Sequence, residues 1–79
     1  MKEYQTEGPR IELMGNHRAV IDGCDGIMGY EAHELRLKMG KLQLCIQGKA
    51  LKLQLLTENA AVVEGLIHSI SYEQNQKRG

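Results

Sequence analysis

Apolar and polar residues alternate most regularly between Leu35 and Leu55, in three consecutive runs. Leu35, Leu37 and Met39 form the first, Leu42, Leu44 and Ile46 the second, and Leu51, Leu53 and Leu55 the third. A period of two marks a strand with one face buried. Gly40-Lys41 suits a two-residue type II′ hairpin loop, which pairs Met39 with Leu42, Leu37 with Leu44 and Leu35 with Ile46. Gln47–Ala50 reads as a second loop, pairing Ile46 with Leu51, Leu44 with Leu53 and Leu42 with Leu55. All three runs then share one apolar face centred on Leu44. The opposite face, with Arg36, Lys38, Lys41, Gln43, Cys45, Lys52 and Gln54, is expected to be wet.

Weaker patterns flank this block. Arg10–Met14 alternates about Ile11 and Leu13, and Gly15-Asn16 is a hairpin dipeptide leading into a strand over Ala19–Asp22. Gly23, Asp25 and Gly26 make a turn around Cys24, before a brief strand Ile27–Tyr30. Glu31–Glu34 is expected to make at most one helical turn. Thr57–Ala60 is a polar turn. Ala61–Tyr72 fits one long strand with a bulge at Gly65; the β-branched residues and the glycine weigh against a helix over 58–71. The expected fold is all-β: an antiparallel meander of about seven or eight short strands forming a small sandwich or curled sheet, with little or no helix. Residues 1–9 read as a flexible arm, 10–72 as one domain and 73–79 as a polar tail.

Composition narrows the function classes. The 79 residues contain no Trp or Phe, so the core must be aliphatic. Ten basic and ten acidic residues cancel, which disfavours nonspecific binding to nucleic acid or to an anionic membrane. A neutral chain with unpaired strand edges is expected to self-associate as a homodimer, with Leu56, Ile67 and one of Val62 or Val63 left off the main apolar face. No apolar leader or membrane span is visible, which points to the cytoplasm and to reduced cysteines.

The reactive residue types form no known constellation. His17, His33, His68, Cys24 and Cys45 match no metal-ligand spacing. His68 shares a phase with Leu66, Ile70 and Tyr72 and is expected to be partly buried. Cys24, in its glycine-rich turn, is expected to be the more exposed thiol. Gly23, Gly26 and Gly29 lack the helix and Lys-Ser/Thr of a phosphate loop. Asp22, Asp25, Glu31 and Glu34 read as solvated turn residues, and Lys38, Lys41, Lys49 and Lys52 as a solvating stripe without aromatic stacking partners. No catalytic, cofactor-binding or metal-binding residue is singled out.

Three signatures in order carry a resemblance. They are Met14-Gly15-Asn16 with Val20-Ile21-Asp22-Gly23, then Gly40–Gly48 with Leu51, then Glu64–Tyr72. Over Arg10–Tyr72 the chain resembles the YabP/YqfC family of small sporulation proteins of endospore-forming Firmicutes. The resemblance implies production in the mother cell and a part in building the spore envelope, cortex or coat. It brings no catalytic residues. A non-enzymatic structural or interaction module, working with other sporulation proteins, is therefore expected. The alternative is a small ligand-binding β-domain regulating sporulation, for which an enclosed apolar pocket lined by Leu37, Leu44 and Leu53 would speak.

Overall fold

A computed structural model describes residues 10–74. It is all-β, with six antiparallel strands in one sheet: β1 (Arg10–Met14), β2 (Arg18–Asp22), β3 (Gly26–Glu31), β4 (Glu34–Met39), β5 (Leu42–Leu56) and β6 (Ala60–Gln74). Their spatial order is β1-β2-β6-β5-β4-β3. The arm expected over 1–9, and the tail beyond Gln74, lie outside the described residues. Glu73 and Gln74 belong to β6 rather than to the tail.

The β4–β5 hairpin has the register expected from the alternation, with Leu35, Leu37 and Met39 opposite Ile46, Leu44 and Leu42. Gly40 takes a positive φ of 68° while Lys41 does not, as a type II′ loop requires. The second expected loop does not exist. Gln47–Ala50 lies within β5, so Leu51–Leu55 continues that strand and its leucines do not fold back on Leu42–Ile46. They pair instead with β6, Leu53 opposite Val63 and Leu55 opposite Val62. Merging these runs reduces the count to six. Glu31–Glu34 is likewise no helical turn but the β3–β4 hairpin, with Ala32-His33 as its loop.

Both long strands bend. Fifteen residues of straight strand would reach about 50 Å, yet the described residues extend 39 Å along their longest principal axis. Register shifts at Gln47/Gly48, Lys49/Lys52 and Leu53/Leu55 distribute the bend. Two glycines permit it. A Cβ on Gly48 would sit 1.9 Å from the Leu66 carbonyl oxygen, and one on Gly65 would sit 2.5 Å from the Ala50 carbonyl oxygen. Gly65 also has φ 134°.

The bend folds the sheet over on itself. One half holds β1, β2 and the near parts of the β5–β6 hairpin; the other holds β3, β4 and the far parts. Each short hairpin fastens its tip to the bend. Gly65 and Ile67 donate their N–H groups to the His17 and Asn16 carbonyls, and Gly48 and Leu51 donate to those of His33 and Ala32. Between the halves lies one aliphatic core: Ala19, Ile21, Leu35, Leu37, Met39, Leu44, Ile46, Leu51, Ala61, Val63 and Ile67, closed at the β2–β3 turn by Cys24. Ile67, expected off the apolar face, is thus inside it. Leu55, expected on that face, is 51% exposed because the last β5 bulge turns it outward. No described helix is long and apolar enough to cross a membrane.

Candidate functional site

The outer face of the β3–β6 half carries the densest polar chemistry. Since Leu35, Leu37 and Met39 point inward, Glu34, Arg36 and Lys38 must point outward. Cross-strand pairing sets Arg36 beside Cys45 and then Ser71, and sets Lys38 beside Gln43 and then Glu73. Arg36 is the hub. Its Nη2 lies 2.9 Å from Glu34 Oε2 and its Nε donates to the same oxygen at 3.2 Å. Its Nη1 donates to Gln43 Oε1 at 3.0 Å and to Glu73 Oε1 at 3.3 Å. The Cys45 thiol donates to Glu34 Oε2 at 3.3 Å.

Cys45, expected on a wet surface, is only 3% exposed because these side chains cover it. Burial and the bond to Glu34 push its thiol above the ordinary value of 9.0. It is therefore a protonated donor rather than a thiolate nucleophile. Conversely, the thiol bond first and the Arg36 charge second hold the Glu34 carboxyl below its ordinary 4.5. Beside that carboxylate the Arg36 guanidinium is shifted up. Glu34, Arg36 and Glu73 are each bonded to another member of the cluster, which suits a fixed surface patch.

A shallow hollow of about 100 Å³ adjoins the patch, lined by Gly29, Tyr30, Glu31, Glu34 and Arg36. Glu31 and Glu34 stand opposite each other at the ends of β3 and β4, so the two carboxylates are strand residues rather than turn residues, and Glu31 is exposed to solvent as expected. His33 Nε2 lies 3.3 Å from Glu31 Oε1. The hollow is well below the roughly 300–1,000 Å³ of drug-sized ligand clefts. Leu37 and Leu44, the walls of the apolar pocket that a ligand-binding domain would need, are fully buried in the core.

The other candidates are dispersed. Cys24 is 1% exposed, against expectation, with its thiol turned to the Gly26 carbonyl at 3.7 Å and raised by burial. It sits in the inner core while Cys45 faces outward, and both are free. His17 and His33 occupy separate turns. His68 is exposed on β6 rather than partly buried, since the bulge there breaks the phase it was read to share. Among the described residues no three metal-ligating side chains gather. Asp25 is not merely solvated: its carboxylate accepts from the Gly40 N–H at 2.8 Å and ties the β2–β3 turn to the β4–β5 loop. Lys49 and Lys52 lie past the bend from Lys38 and Lys41, which divides the expected stripe.

Sequence reasoning missed the Arg36 hub. The hairpin register already places Arg36 opposite Cys45, and Glu34 and Arg36 share a face at i, i+2. The Glu73 contact had no such signal, because it depends on β6 pairing along the far part of β5.

A protein-family model described as the YabP family matches residues 5–79. No curated protein and no solved structure matches the chain.

Proposed function

Because the chain belongs to the YabP family, we propose that it is a non-enzymatic structural or interaction module that acts in forming the spore envelope. Membership is consistent with a sporulation-associated protein, and the family is not a known enzyme family. One observation supports the finer reading: among the described residues eight large apolar side chains remain exposed on this small sheet, while the side chains of its polar cluster are bonded to one another. Leu55 extends an outer-face row with Val62 and Val20 across β5, β6 and β2. Such surfaces suit contact with other proteins better than turnover of a substrate.

In this reading the protein works in the mother cell, joined to copies of itself and to other sporulation proteins in the cortex or coat. Deleting the gene in a spore-forming host tests it. Sporulation should start normally but yield spores with a thin or misassembled envelope and reduced lysozyme resistance. Deletion spores with normal envelope layers and resistance would overturn the proposal.

A further inference from the structure

Beyond Ile67, β6 is bordered by β5 on one side and, among the described residues, by no strand on the other. Its pairing with β2 ends at Glu64, and the β1–β2 turn occupies only Gly65 and Ile67. From Ser69 to Glu73 it runs along β5 without a register shift. Half of a central strand thus becomes an edge, with a row of backbone donors and acceptors that can template another strand. The segment Ser69-Ile70-Ser71-Tyr72-Glu73-Gln74 has no proline, lysine or bulge to resist pairing. The two outermost strands are less suited. β3 is bulged between Ile27 and Gly29, and a twofold pair about the middle of β1 would set Glu12 against itself.

We propose that Ser69–Glu73 pairs antiparallel with the same segment of a second copy, about a twofold axis through Ser71. This rests on the assembly reading above and specifies one contact within it. In that register Ile70 faces the partner's Tyr72, and Tyr72 faces the partner's Ile70. On the other face Ser69 meets the partner's Glu73, and no like charges oppose each other. Tyr72 lies on the Leu44 side of the sheet, opposite Leu44 itself, yet is 46% exposed there. Pairing an aromatic with a β-branched residue twice across the seam gives that exposed ring a neighbour. A shift of two residues either way replaces both mixed pairs by Ile70 or Tyr72 facing its own copy. A shift of one sets the inner face of one copy against the outer face of the other. The product is one continuous sheet with four strands from each copy, β3 to β6, closed by symmetry and with no free β6 edge.

Ser71 is exposed at the centre of the seam, so a charge there leaves the monomer's core untouched. Sedimentation equilibrium at tens of micromolar should show dimer for the native protein. Ser71→Lys alone and Ser71→Glu alone should each weaken the dimer by about tenfold or more, since like charges then stand directly opposite. An equimolar mixture of the two variants should dimerise again. A monomeric native protein, variants that dimerise as well as the native one, or a mixture that stays monomeric would each overturn the edge pairing. The envelope phenotype of the deletion strain is read separately, so a monomer with a defective deletion strain rejects this contact and leaves the assembly reading standing.

Discussion

The Leu53 N–H donates to the Tyr30 hydroxyl at 2.9 Å. Tyr30 belongs to edge strand β3, and Leu53 lies past the bend of β5. Below the bend β5 pairs with β4; above it, that side of β5 has no strand partner among the described residues. The Tyr30 hydroxyl and the Ala32 carbonyl, which accepts from Leu51 at 2.8 Å, satisfy amides there that a ladder would otherwise take. Tyr30→Phe should therefore cost about 0.5–1.5 kcal/mol in urea unfolding, with faster hydrogen exchange at Leu53. Unchanged exchange at Leu53 would show that the hydroxyl does not protect that amide.

The bend makes a sharper prediction at its glycines. Gly48→Ala places a methyl against the Leu66 backbone, and a backbone cannot rotate away as a side chain can. A loss of about 2 kcal/mol or more is expected. Gly29→Ala provides the control: a Cβ there meets nothing within 4 Å, so stability should stay within about 0.5 kcal/mol. Equal losses at the two sites, measured by urea unfolding, would contradict the close approach of β5 and β6.

Ala50 is the described non-glycine residue with a positive φ, at 54°. That conformation costs an alanine about 1 kcal/mol, which glycine avoids while gaining freedom in the unfolded chain. Ala50→Gly should thus be neutral or stabilising in thermal melts, whereas Ala-to-Gly changes inside a regular strand destabilise. Leu44→Ala, at the centre of the core, should cost about 2–5 kcal/mol.

The Glu34–Cys45 bond predicts opposite trends at the two ends of the pH range. Glu34 is held below 4.5, so its contribution to stability is present above that value and fades as the pH falls through the folded carboxyl's own range. Cys45 is raised above 9.0, so its contribution is present below that value and is lost as the pH rises through the folded thiol's range. Glu34→Gln should flatten part of the acid limb of stability against pH, and Cys45→Ser part of the alkaline limb. Limbs unchanged by either substitution would contradict the coupling.

The legible parts of the fold were those set by neighbours in sequence. Alternation from Leu35 to Ile46 with Gly40-Lys41 between determines a hairpin, because a one-residue slip would expose its leucines. The five-residue step from Ile46 to Leu51 was ambiguous. A turn and a run of bulges both break the alternation there, and both use glycine and positive φ. What selects the bulges is distant in sequence: Gly48 against Leu66, and Gly65 against Ala50. The site followed the same division. Glu34, Arg36 and Cys45 meet through a local hairpin, whereas Glu73 joins them only through the β5–β6 pairing, and Cys45 was read as exposed because its covering side chains come from three strands.

The central claim is that the protein builds rather than catalyses, and complementation of a deletion strain with Cys45→Ser tests it most directly. The substitution removes the thiol from the polar cluster yet keeps a small hydroxyl able to donate to Glu34. The account predicts that the variant accumulates normally and restores envelope thickness and lysozyme resistance to native levels. A variant that folds and accumulates but leaves the spores as defective as the deletion strain would contradict it and assign the thiol a chemical role.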